Sequence, residues 1–302
     1  MFILSDARTT GDATLAGLTS SVRIAAQQRL RRSIGLRGTP PPACLDPAEA
    51  YTPVDGASRI IHGDLPSMLI GGVGSLLLQM LHPLAMAGVA QHSRYREDPL
   101  GRLEQTATFI GTTTFASRAD AAAMIERVRA VHEAVRGETS DGTPYRASDP
   151  HLLSWVHVAE LTMFLEASRQ YGPRTLTRER EDQYIAEMAV VGSDLGVASP
   201  PLTRQELDDQ LTAFRPELTL TSDAREARDF VVRGVARSVR ERAAYGTIVA
   251  AAIGILPPWA RQQLKFPSIP LVNTWLIRPS AATLCATLRV AVPPWPDATH
   301  VN

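Results

Sequence analysis

Apolar positions along most of this chain recur at intervals of three and four residues, the repeat of a helix that buries one face, and no run alternates long enough to argue for a sheet. The spacing predicts helices over residues 101–115, 119–136, 150–171, 177–195, 203–214, 222–233 and 240–255. Start signals support several of them. Asp149 stands before Pro150, a capping side chain followed by a proline at the first helical position, and Thr203 with Glu206 makes a capping box. The stretch LPSMLIGGVGSLLLQMLHPLAMAGVA, residues 65–90, predicts a buried helix whose glycines let a neighbour approach closely; GTIVAAAIGILPPWA predicts another, stopped by Pro257 and Pro258. Upstream, residues 14–34 read as a helix, and the proline run of GLRGTPPPACLDP forbids helix and favours an extended linker. The expected architecture is all-α, with an N-terminal arm over residues 1–50 and one helical domain over residues 51–302.

The apolar stretch invites two other readings, and each fails. Gly72 and Gly74 are followed by Leu77 where a dinucleotide fingerprint needs its third glycine, and no Gly-Lys-Ser/Thr follows. As a membrane span, the run is interrupted by Gln79, His82 and Pro83 before it reaches the roughly 20 residues that crossing a bilayer requires.

Composition then removes whole classes of function. Of 302 residues, 44% are apolar and 21% charged, a globular balance, and 31 basic residues against 31 acidic ones leave no electrostatic footprint for nucleic acid or an anionic membrane. Lys265 is the only lysine, which nearly excludes Schiff-base chemistry. Cys44 and Cys285 lie far apart and outside any Cys-x-x-Cys arrangement, so neither a zinc knuckle nor covalent haem attachment is expected. The first residues, MFILSDARTTGDA, lack a positive region and a cleavage site, and the expectation is a cytoplasmic protein.

Candidate chemistry centres on histidines. In RVRAVHEAVRG, His132 lies at helical offsets from Ile125, Val128 and Val135, so its imidazole falls on the apolar stripe; His157 does the same with Leu153, Leu161 and Phe164. The ordinary alternative is a core histidine satisfied by carbonyls or a carboxylate. His82 and His92 flank a further apolar segment. No His-Glu-x-x-His and no Glu-x-x-His pair is present, which argues against a helical zinc or di-iron site. One neutral imidazole can nevertheless hold haem iron if the opposite side supplies hydrogen-bond donors. Arg102 and Thr106, one turn apart and on a face with Phe109 and Thr113, offer such donors; a surface arginine and a filler threonine are the alternative.

The segments LLLQMLHPLAMAGVAQHSRYREDPLGRLEQT, RVRAVHEAVRG and YRASDPHLLSWVHVAE, in this order, resemble the bacterial relatives of latex-clearing proteins and the MpaB-type oxygenases over most of residues 55–260. The resemblance implies a globin-like helical core that binds b-type haem. It sets His132 at the position of the proximal iron ligand and Arg102 and Thr106 at those of a distal Arg-x-x-Lys-Thr motif. Gln105 stands where that motif has lysine, and residues 80–95 offer no clear equivalent of the distal glutamate base, which argues against rubber cleavage itself. His157, in a Trp-Val-His segment of the MpaB-like branch, is the rival iron ligand or a pocket residue, and His82 and His92 either line the same cavity or are structural. The expected function is a haem b-dependent oxygenase in which Arg102, Gln105 and Thr106 act on bound oxygen and an apolar small molecule, isoprenoid-like by resemblance, is oxidised with O2, by cleavage of a carbon–carbon double bond if the resemblance extends that far. A noncatalytic haem or lipid carrier and a haem-free helical protein are the competing readings.

Overall fold

The computed structural model describes residues 43–234, 239–267 and 270–291. The helix expected over residues 14–34 lies outside them. The described chain is all-α apart from one small hairpin, as the periodicity predicts. Its helices are α1 (Ala57–His62), α2 (Leu65–Gln79), α3 (Pro83–His92), α4 (Pro99–Phe115), α5 (Arg118–Ala134), α6 (Pro150–Tyr171), α7 (Arg178–Leu195), α8 (Arg204–Phe214), α9 (Ser222–Arg233), α10 (Val239–Ile255), α11 (Pro258–Gln263) and α12 (Arg278–Ala291). Strands β1 (Arg136–Glu138) and β2 (Pro144–Arg146) pair antiparallel after α5. Three residues each are too short to show alternation, and the turn between them depends on Gly142 at φ +85°.

The centre of the fold is α2 packed along α6, with α10 against both. The glycines of α2 set how closely the pair lies. A Cβ on Gly71 would fall 2.7 Å from a ring carbon of Phe164 and 3.1 Å from its Cα, and one on Gly74 would fall 2.5 Å from the Met163 methyl. Leu77, Leu78, Trp155, Leu161, Met163 and Leu165 are then sealed from solvent in the main core.

Residues 65–90 are not one helix but two, bent by 108° at Met80–His82. Pro83 explains the break: it has no N–H to give to the carbonyl of Gln79 four residues back, and its ring would collide with that carbonyl. The Gln79 carbonyl accepts instead from His82 N–H at 3.2 Å and from the Trp155 indole N–H at 3.0 Å, and the Leu81 carbonyl accepts from Thr219 N–H at 2.7 Å. No single described helix is long and apolar enough to cross a membrane.

Caps fall where the sequence places them. The Asp149 carboxylate accepts from His151 N–H at 2.8 Å, and Thr203 Oγ1 accepts from Glu206 N–H at 3.2 Å. The capping box is altered in one respect: the Glu206 carboxylate accepts from Leu202 N–H rather than from Thr203. Residues 43–50 lie against the α4–α5 junction, with Cys44 N–H donating to the Phe115 carbonyl at 2.7 Å and Ala50 bridging Ser117.

Two long-range contacts complete the frame. Helix α1 has Gly56 at its N-cap and no side-chain cap of its own; the Glu187 carboxylate from α7 accepts from Ala57 and Ser58 N–H at 3.1 and 2.8 Å. Asp64, which caps α2, also pairs with the Arg289 guanidinium of α12 at 2.7 and 2.8 Å, and Arg289 donates as well to the Tyr171 carbonyl at the end of α6.

The two adjacent glycines of α2, Gly71 and Gly72, separate packing from propensity. Gly71→Ala is expected to destabilise by about 1–3 kcal/mol, because the Phe164 backbone cannot give way. Gly72→Ala, where the nearest atom is 3.9 Å away, is expected to be neutral or to stabilise by up to about 1 kcal/mol through helix propensity. Urea unfolding of the two variants checks the difference in sign.

Candidate active site

Helix α4 starts under the Asp98 side chain, which accepts from Gly101 N–H at 3.0 Å, with Pro99 in the first turn. The helix then divides. Thr112, Thr113, Thr114 and Phe115 in its last turn are buried, whereas residues 101–111 all keep surface open. Arg102 and Gln105 are exposed on that open part, and Phe109 is half-buried. Thr106 Oγ1 donates to the Arg102 carbonyl at 3.2 Å and Thr113 Oγ1 to the Phe109 carbonyl at 2.9 Å, so both hydroxyl protons are engaged within the helix and their lone pairs remain.

Arg102 has two titratable neighbours from other helices. His132, in the last turn of α5, lies within range of its charge; burial first, and then the Arg102 guanidinium, push the His132 pKa down and keep the ring neutral. Its Nδ1 is buried without a hydrogen-bond partner. Glu160, from the middle of α6, is the second neighbour. Burial raises its pKa from the usual 4.5 to about 7, against the opposing effects of a hydrogen bond from the Gln79 side chain and of Arg102. The Gln79 amide in turn donates to Ser75 Oγ at 2.6 Å.

Glu160 is surrounded by protein yet keeps part of its surface open. Leu76 is open apolar surface nearby. It lies three residues before Gln79 on the same side of the central helix and is nonetheless 47% exposed. Helices α2, α4, α5 and α6 thus deliver an amide, a guanidinium, an imidazole and a carboxyl to one region that has open apolar surface beside it. Two surface depressions of about 630 and 590 Å³, one beside Arg215 and Trp259 and the other beside Arg169 and Arg278, share no residue with this group.

The other candidate histidines go elsewhere. His157 is buried against Gly192 of α7, where an added Cβ would lie 2.9 Å from the ring; its Nε2 has no partner, and burial alone lowers its pKa to about 4. His82 sits at the α2–α3 break beside His151 and Glu217. His92 is exposed, with its ring 6.3 Å from that of Tyr145. Of the residues singled out from the sequence, the structure therefore joins Arg102 with His132 and leaves these three apart from Arg102's charge.

Residues 59–290 match the catalytic domain described as ER-bound oxygenase mpaB/B′/rubber oxygenase. The chain belongs to that family. No curated protein and no solved structure gives a significant match. Membership in the mpaB/rubber-oxygenase family makes the chain an oxygenase catalytic domain acting on a small molecule with O2, and the matched span contains every helix that contributes to the Arg102 group.

Glu160 and Gln79 were not singled out from the sequence, although one signal was present. Glu160 is the single charged residue in the run LLSWVHVAELTMFL, and a carboxylate inside an apolar helix is either paired or functional. His62, also passed over, is a satisfied core residue, with Nδ1 2.7 Å from Thr114 Oγ1 and Nε2 3.0 Å from the Tyr184 hydroxyl.

Because Glu160 holds its proton more tightly in the folded protein than its usual 4.5 allows, the parent protein loses stability as pH rises from about 4.5 to 7. Glu160→Gln removes that dependence. The stability of the variant relative to the parent is expected to grow across this window, by up to roughly 3 kcal/mol, and to level off above it. Urea unfolding at a series of pH values measures the difference; a constant offset would mean that the carboxyl titrates as in the unfolded chain.

Proposed function

We propose that this oxygenase is haem b-dependent and oxidises an apolar small molecule, with His132 as the iron ligand. The supporting observation is the convergence on one open, helix-lined region of a neutral imidazole with an unpartnered buried nitrogen and, opposite in charge character, Arg102 and Glu160. This donor set fits haem. A metal ligand must be the neutral imidazole, and burial together with Arg102 holds His132 in that form. Haem would supply, when bound, the iron at which dioxygen is activated.

The protein's own groups divide the remaining work. Arg102 presents a cation where negative charge develops on oxygen. Glu160, with a pKa near 7, can hold or release a proton at neutral pH, the property that a general acid or base requires. Gln79 orients that carboxyl by hydrogen bonding to it. Gln105 and the acceptor side of Thr106 add neutral polar contacts on the Arg102 helix, and Phe109 and Leu76 supply apolar surface for the substrate. An unsaturated isoprenoid-like molecule suits such a lining, and double-bond cleavage is the reaction proposed for it.

Protein purified from cells supplied with iron and a haem precursor is expected to show a Soret band, and His132→Ala is expected to lose it with helical content unchanged. Arg102→Ala is expected to keep haem and to lose oxygen uptake by about 100-fold or more, the scale of removing one preorganised donor to a developing oxyanion. Full haem occupancy in His132→Ala would move the ligand role to His157. Haem binding without oxygen turnover would make the protein a carrier.

A further inference from the structure

His82 poses a problem that the oxygenase site does not solve. It is 2% exposed, and both of its ring nitrogens are buried without a hydrogen bond. A core histidine normally has its nitrogens satisfied, as His62 does in this protein. The Pro83 break fixes His82 in extended backbone at the start of α3, and its Nε2 faces the carboxylate of Glu217 at 3.4 Å, outside hydrogen-bonding geometry. From the first turn of α6, His151 brings its own Nε2 to 2.8 Å from the same Glu217 oxygen. The three donor atoms lie within 4.8 Å of one another.

We propose that His82, His151 and Glu217 form a divalent transition-metal site, with Zn2+ as the ion that fits the donors. Two imidazoles and a carboxylate are a zinc donor set, and bonds of about 2.0–2.1 Å in tetrahedral geometry put donors roughly 3.4 Å apart, so the observed spacing needs only small side-chain shifts. The ion would lie between the buried Nε2 of His82 and the Glu217 oxygen that it faces without bonding. Phe214 stacks on His151 at 4.8 Å between ring centroids, and Trp155 and Phe214 flank His82 at 6.1 and 6.5 Å, which gives the site an apolar wall. The side chains of His151 and Glu217 are 55% and 42% exposed, and that side offers an entry path and room for a water as fourth ligand.

The three donors come from segments far apart in sequence: the α2–α3 break, the start of α6 and the 3-10 turn Arg215–Glu217 after α8. A bound ion therefore clamps the break to its surroundings one helical turn from Gln79, the residue that holds Glu160. None of the three donors belongs to the Arg102 group, so the site stands whether or not the haem reading does.

Chelator-treated full-length protein titrated with ZnCl2, by calorimetry and by counting protein-bound zinc after desalting, tests this. The expected result is one ion per chain in the parent, in His132→Ala and in Arg102→Ala. His151→Asn and Glu217→Gln, both at the surface and without risk to the core, are expected to weaken binding by more than roughly the tenfold that loss of an outer-shell partner costs, and His82→Ala to abolish it. Zinc is expected to raise the thermal midpoint of the parent and not that of His151→Asn. Absence of uptake at ~100 µM zinc, far above the affinity of a built site, would overturn the proposal, as would uptake unchanged in both surface variants; the cluster would then be a surface His–Glu pair beside a frustrated core histidine.

Discussion

Close approach of α2 and α6 is the constraint on which the rest depends. An added Cβ on Gly71 would press on the Phe164 backbone, and one on Gly74 on the Met163 methyl, so the Met163, Phe164 and Trp155 side chains fill the space between the helices. At that separation the Trp155 indole reaches the carbonyl that Pro83 has released, and the Gln79 amide reaches Glu160. A wider spacing would cost that carbonyl its indole partner and leave it the His82 N–H alone, at 3.2 Å. The same contact thus stabilises the core, accommodates the break between α2 and α3, and positions one wall of the candidate site.

Electrostatics at that site is a contest between burial and charge. Burial alone would drive His132 towards its neutral form and Glu160 towards its protonated one. Arg102 opposes this for Glu160, whereas it reinforces it for His132. The result is a neutral imidazole, a persistent cation and a carboxyl balanced near neutral pH. That differentiation needs all three groups, and they come from three helices.

The helices and their caps were legible in the sequence because each depends on neighbours within one turn: Asp149 before Pro150, or Thr203 before Glu206. The family was legible because its motifs persist in order. Residues 65–90 misled because the interruption at Gln79, His82 and Pro83 was weighed against a membrane span and not against a single helix, although Pro83 ends α2. The hairpin escaped because three-residue strands carry no period, although Asp141-Gly142 is a turn signal of the right kind. For the site, Arg102 and His132 could be named from pattern and resemblance. Glu160 could not be assigned a role without knowing that Gln79 and Arg102 flank it, and Glu217 gave no sign of lying beside two histidines.

Glu187 carries a consequence for the order in which the molecule assembles. Helix α1 has six residues, well short of the length at which a helix persists on its own in water, and the carboxylate that satisfies its first N–H groups belongs to α7, some 130 positions further along the chain. Its nucleation is therefore a tertiary event rather than a local one. The loop that must close before α1 gains its cap includes the whole α2–α6 pair, so the cheapest route forms that pair first and adds α1 afterwards. Its early position in the chain gives it no head start: a segment synthesised before the core-forming helices becomes structured only once they have docked.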